Sequence, residues 1–284
     1  MTVPLGVQGV LLLVLATAVL HAAWNAMAKS VGDRWVSSAL IGTANGVVGL
    51  VLVSFFGVPA AESWPYLVAS ALLQAAYLVL LTHTYAHGDL SRLYPIARGT
   101  SPVVVTMIAV GLLGERLSLL SWLGLGVLVA GIVLLAGARG LPRADTGLVL
   151  AVCTGLVIAA YSLSDGVGVR MAGNTGAYIG WMFALQGPVL LLVCRWQAGR
   201  SFWGRMRTHA PIGLLGGLLA VIAYGTTVWA QSRAPLALVA GLRETSVVWA
   251  ALIGGLVLRE RLTAIERLAV LVVAAGAVAL QVGA

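Results

Sequence analysis

Among the charged residues, Arg98, Arg243 and Glu244 stand well inside otherwise apolar stretches of this chain. A charge at the centre of a bilayer costs about 2.5–3.5 kcal/mol even on insertion scales, so such a residue usually faces a cavity or a partner. Two readings stay open for the arginines. Their guanidinium groups could grip an anion, a carboxylate or phosphonate, through charge-assisted hydrogen bonds. Alternatively, each snorkels to its near interface or ties down backbone carbonyls. Glu244 follows Arg243 directly, so on a regular helix it points about 100° away. It then either pairs with a cation of another helix, the preferred reading, or carries a coupling proton.

The neutral candidates are polar and aromatic. His21 and Asn25 are four residues apart, on one helix face, with Trp24 beside them. His21 could relay a proton or hold a ligand, since histidine titrates near neutrality; equally, both could bond to neighbouring helices. Gln74 and Tyr77 share a face, with His83 further along; Tyr224, Thr227, Trp229 and Trp249 add a second aromatic-polar group. Aromatic walls with a few convergent polar groups make small-molecule sites, and packing aromatics give the same pattern. Asp165 falls near the end of its apolar run, where water is expected to solvate it. Cys153 and Cys194 have neither CxxC spacing nor histidine neighbours, so neither a disulfide framework nor a metal site is expected. No HExxH, GxSxG or P-loop occurs, which disfavours a membrane enzyme and a nucleotide-driven pump. No cofactor is expected.

These residues are positioned by apolar runs. Of 284 residues, 60% are hydrophobic and 9% charged, and the mean hydropathy is +1.01. Soluble domains carry about 25% charged residues, so lipid is the solvent for most of this chain. The net charge of +8 comes from scattered cations with no basic stripe, which excludes a nucleic-acid partner. Spans of about 20 apolar residues read at 7–28, 36–57, 65–86, 93–114, 118–137, 147–169, 175–194, 210–231, 236–258 and 263–283. The fold class is therefore all-α integral membrane, with ten transmembrane helices. Gly32-Asp33-Arg34, Val58-Pro59, Gly88-Asp89, Gly114-Glu115-Arg116, Leu141-Pro142-Arg143 and Arg259-Glu260-Arg261 separate the runs. Arg195 to His209, with four Arg, Trp196, Phe202 and Trp203, reads as a segment lying on the membrane surface. Ala26-Met27-Ala28 resembles a signal-cleavage site, but residues 1–9 carry no cation, so the first run is kept as a span. The pairs Gly42/Gly46, Gly176/Gly180 and Gly213/Gly217 permit close helix contact and leave a homodimer open.

The chain also repeats itself. Gly114-Glu115-Arg116-Leu117-Ser118 aligns with Arg259-Glu260-Arg261-Leu262-Thr263 at an offset of 145 residues. The same offset lays Arg98 on Arg243, Thr100 on Thr245, Ser101 on Ser246, Ala130 on Ala275 and Gly131 on Gly276. With shifted spacing, His21-Ala22-Ala23-Trp24-Asn25 matches Ile158-Ala159-Ala160-Tyr161-Ser162. Helices 1–5 thus correspond to helices 6–10, with halves at 1–140 and 141–284. Five is odd, so the second half enters the membrane from the opposite side, giving two inverted five-helix repeats. On this reading Arg98 and Arg243 sit toward opposite membrane faces.

Tyr94-Pro95-Ile96-Ala97-Arg98-Gly99, Leu113-Gly114-Glu115-Arg116-Leu117-Ser118 and Leu258-Arg259-Glu260-Arg261-Leu262-Thr263 resemble the drug/metabolite transporter superfamily, EamA type, and the resemblance covers essentially the whole chain. It implies a ten-helix fold with a central cavity formed mainly by helices 1, 3, 4, 6, 8 and 9. It further implies transport of a small metabolite, often export of amino acids or related compounds. Small multidrug exporters of the superfamily rely on an acid within helix 1, and this helix has none. With Arg98 and Arg243, that favours an anionic or zwitterionic cargo moved by alternating access over an organic cation. A lipid-carrier flippase on the same fold stays open.

Loops after helices 1, 3, 5, 7 and 9 hold twelve cations, and those after helices 2, 4, 6 and 8 hold three: Arg116, Arg170 and Arg233. Cationic loops stay cytoplasmic, so both termini are expected outside a bacterial inner membrane. Many members of the resembled family are thought to keep both termini inside, and the count departs from that pattern.

Overall fold

A computed structural model describes residues 6–86, 90–138, 145–199, 201–256 and 263–284. The expected separators Gly88-Asp89, Leu141-Pro142-Arg143 and Arg259-Glu260-Arg261 lie outside the described residues. The helices are α1 (Val7–Ser30), α2 (Arg34–Phe56), α3 (Trp64–Ala86), α4 (Leu90–Gly111), α5 (Leu119–Gly137), α6 (Thr146–Met171), α7 (Thr175–Gln197), α8 (Phe202–Gln231), α9 (Leu236–Arg243), α10 (Ser246–Leu256) and α11 (Ala264–Val282). A 3₁₀ turn, Ala61–Ser63, leads into α3. Eight of these helices are long and apolar enough to cross a membrane, and α4 contributes a shorter apolar stretch, Pro95–Gly111.

Helix starts follow from side chains that accept the otherwise unpaired first amides. Asp33 caps α2 through the amides of Trp35 and Val36, and Asn174 caps α7 through Ala177. Ser118 caps α5, while Thr263 and Glu266 form a reciprocal capping box on α11. The last residue of each copy of the 145-residue repeat motif is thus a helix N-cap.

Two expectations are corrected. The ninth span is divided into α9 and α10. The amides of Glu244 and Thr245 reach only three residues back, to the carbonyls of Gly241 and Leu242, both at 3.1 Å. The Thr245 hydroxyl also donates to the Leu242 carbonyl at 2.7 Å. The α-helical ladder therefore tightens into 3₁₀ geometry at the polar run Arg243-Glu244-Thr245-Ser246. Secondly, the Arg195–His209 linker is mostly helical. Arg195 belongs to α7, and α8 runs unbroken from Phe202, whose ring is fully buried. Phe202 packs with Val36, Leu40, Cys194 and Met206, while Trp196 and Trp203 are exposed.

The helices pack as two compact units. The first comprises the described residues of Met1–Val19, Val79–Leu163 and Arg233–Ala284; the second is Leu20–Leu78 and Ser164–Ser232. In the first, α5 lies against α11 and α4 against α5 and α9. A Cβ on Gly276 would sit 2.5 Å from the Leu128 amide and 2.8 Å from the Gly124 carbonyl, so α5 and α11 touch backbone to backbone. In the second, α2 lies against α7 and α8. Gly187 meets Gly42 and Gly46 there, and Gly217 meets Ala44, so the small-residue pairs do allow close helix approach.

Candidate functional site

Within the first unit, Glu244 joins the two arginines. Its Oε2 is 2.6 Å from Arg98 Nε, and its Oε1 is 3.5 Å from Arg243 Nη2. Arg98 Nη2 also donates to Ser246 Oγ at 3.1 Å, and Arg243 Nη1 donates to Ser162 Oγ at 3.2 Å. Exposure is 3% for Arg98, 4% for Arg243 and zero for Glu244. Pairing of Glu244 with a cation from another helix thus agrees with the sequence. The expected separation of Arg98 from Arg243 does not, since one carboxylate reaches both. Nor does Glu244 turn away from Arg243. The step between adjacent Cα atoms sets only where the side chains begin, and the long arginine returns to the carboxylate.

Among the described residues the cluster is cationic: two guanidinium groups face one carboxylate. Of the other described acids, Asp33 pairs with Arg205, Asp145 and Glu266 act as caps, Asp165 accepts from tyrosines, Glu115 holds the start of α9, and Glu62 is exposed. A buried excess positive charge is costly unless something anionic compensates it. Arg243 Nε has no hydrogen-bond partner among the described residues. Ser101, which aligns with Ser246 in the repeat, is fully buried, and its hydroxyl likewise has no partner among them. Trp249, on α10, is 37% exposed.

The second unit holds two polar groups. Asp165 is fully buried, contrary to the solvated position expected. α6 continues six residues beyond it to Met171, and the hydroxyls of Tyr178 and Tyr224 donate to its two oxygens. The second group is a chain of amides. Asn45 Nδ2 donates to Gln186 Oε1 at 3.0 Å, Gln186 Nε2 donates to Gln74 Oε1, and Gln74 Nε2 donates to Ser70 Oγ at 3.2 Å. His21 stacks edge-on to Trp24 with ring centroids 5.2 Å apart. Asn25 turns its amide onto the His21 carbonyl at 2.7 Å, a bond within its own helix. Tyr77 is half-buried, as are His21, Trp24 and Asn25.

Two stretches of the chain, residues 8–137 and 145–281, each match the EamA-like transporter family. The chain belongs to that family. Within the EamA-like transporter the first match takes in α1–α5 and the second α6–α11. Over 75 residues, 26% of the chain, it is 35% identical to a protein described as an uncharacterised transporter in the cobO 3′ region of a Sinorhizobium species. That match covers 52% of the relative, about half its length. One solved crystal structure, described only as that of a protein, aligns over 97% of this chain and 99% of its own at a TM-score of 0.76. At 19% identity, this likeness concerns the fold alone.

Five residues that the sequence reading did not place in a site hold the clusters together: Ser162, Ser246, Gln186, Asn45 and Glu115. For Ser162 and Ser246 a signal was present. Both stand in segments that the internal repeat aligns, Ser162 opposite Asn25 and Ser246 opposite Ser101.

Proposed function

We propose that this EamA-like transporter is a secondary exporter of a small anionic or zwitterionic metabolite, such as an amino acid, organic acid or phosphonate. It works by alternating access between two inverted five-helix repeats. The observation that carries the cargo reading is the buried Arg98–Glu244–Arg243 cluster, in which, among the described residues, two guanidinium groups face one carboxylate and Arg243 Nε has no hydrogen-bond partner. A ligand carboxylate or phosphonate neutralises the excess and takes up guanidinium donors through charge-assisted bonds. The division between α9 and α10 falls at this cluster, and broken spans recur at the binding sites of secondary transporters. α1 carries no acid, which removes the usual anchor for an organic cation.

The test is the thermal midpoint of the purified chain against a panel of amino acids, organic acids, phosphonates and quaternary amines. A ligand at a hundred times its Kd stabilises the state it binds by about 2.7 kcal/mol. Anions or zwitterions are expected to raise the midpoint, and quaternary amines to leave it unchanged. Stabilisation by quaternary amines alone overturns the cargo reading.

The proposed orientation places both termini outside a bacterial inner membrane. It rests on the twelve cations in alternate loops against three in the others. A C-terminal alkaline phosphatase fusion should be active and a C-terminal fluorescent fusion dark; the opposite pair of results refutes it.

A further inference from the structure

α9 is two turns long, and Arg243 is its last residue. So short a helix does not hold its own direction, because nucleation is costly and few ladder bonds follow. Whatever fixes its start therefore aims the guanidinium at its end. Its own N-cap position is Pro235, which offers no side-chain hydrogen bond. The acceptor comes from 121 residues earlier in the chain: Glu115 Oε1 receives the Leu236 amide at 2.8 Å, and Glu115 Oε2 receives the Ala237 amide at 3.2 Å. A carboxylate here also complements the positive end of the helix dipole.

The repeat motif builds this contact residue by residue. Gly114, at φ 71°, ends α4 in the left-handed region, and the Glu115 amide reaches back to the Ala109 carbonyl at 2.9 Å. That bond closes the turn after α4 and puts Glu115 at the first residue beyond the left-handed glycine. Leu117 packs against the apolar cluster of Val105, Ala109, Leu236, Ala237 and Ala240, which joins α4 to α9. Ser118 then caps α5.

We propose that Glu115 is a positioning residue for Arg243: its carboxylate clamps the first two amides of α9 and thereby holds the guanidinium in the cluster. The proposal rests on the reading that Arg243 meets the ligand, but its test needs no ligand. Hydrogen–deuterium exchange is measured on the full-length chain in nanodiscs, wild type against Glu115→Gln. The variant keeps one carbonyl acceptor and loses the charge and the second. Peptides covering Leu236–Arg243 are expected to exchange about tenfold faster, through to the Arg243 end, while α2 and α7 keep their protection. A double-mutant cycle of Glu115→Gln with Arg243→Lys, read on the thermal midpoint, should be non-additive. A purely local cap would leave such separated sites additive. Acceleration confined to the first turn, unchanged exchange, or additive effects overturns the proposal. If Glu115→Gln does not accumulate, Glu115→Asp, one methylene shorter, is measured in the same way against the same outcomes. Failure of the anion reading shows separately, as a ligand panel in which anions and zwitterions do not stabilise wild-type protein.

Discussion

Glu244→Gln is expected to destabilise the protein by about 3–5 kcal/mol, the usual cost of removing one partner from a buried ion pair. That is a large share of the roughly 5–15 kcal/mol that separates folded from unfolded chains. The expectation follows from charge. Glu244 is fully buried and is the carboxylate that touches both Arg98 and Arg243. The amide keeps the shape and leaves two guanidinium groups facing each other without an anion. Membrane-inserted yield and thermal midpoint should both fall. A second substitution, Arg98→Gln, should recover part of the loss, because only one buried cation then remains. The competing role for Glu244 is proton carrier, and it makes the opposite forecast. A Glu244→Gln protein with wild-type yield and midpoint, whose transport has lost only its dependence on pH, rules out the pairing role.

The spans were legible because lipid imposes a length: about 20 apolar residues, whatever their neighbours. Eight of the ten expected runs coincide with single helices within about three residues, and a ninth, 210–231, ends with α8 but begins eight residues after it. The tenth, 236–258, failed for a local reason. It contains no proline, and its apolar count is high, yet four consecutive polar residues, Arg243 to Ser246, sit at its middle. Among them, the Thr245 hydroxyl bonds the Leu242 carbonyl and so competes with a straight ladder. That polar run was the available sign of a break.

Contacts across the chain were less legible than spans. The repeat lays Arg98 on Arg243. Equivalence under an offset says nothing of distance, and the inverted reading set them apart. The Arg98–Glu244 pair bridges 146 positions, and only packing of α4 against α9 brings it together. The end of the apolar run does not give the depth of Asp165, because α6 extends to Met171. The phenols that enclose it lie 13 and 59 residues further on, beyond any local spacing. Gln74 was noticed for its polarity; its engagement by Gln186 and, through it, Asn45 depends on α2 and α7 meeting at glycines.

Arg243→Lys should leave the fold near wild type and weaken binding of an anionic or zwitterionic ligand about ten- to hundredfold, the equivalent of about 1.5–3 kcal/mol for a charged hydrogen bond. The two effects separate because of how the cluster is wired. Arg98 holds Glu244 at 2.6 Å, whereas Arg243 lies 3.5 Å from it, so the closer ion pair survives the change. Lysine keeps the positive charge, but its ammonium lacks the planar fork that meets a carboxylate or phosphonate with two parallel bonds. Of the guanidinium's nitrogens, Nη1 is used by Ser162, Nη2 faces Glu244, and Nε has no hydrogen-bond partner among the described residues. Arg243→Ala should abolish binding, yet destabilise less than Glu244→Gln, because it leaves a neutral Arg98–Glu244 pair and no stranded cation. The measurement is ligand affinity on folded protein, with the thermal midpoint recorded for each variant. Wild-type affinity in Arg243→Lys would make Arg243 structural. A collapse of Arg243→Ala equal to that of Glu244→Gln would mean that the arginine contributes chiefly to folding, and the excess charge would then need a compensating group within the protein itself.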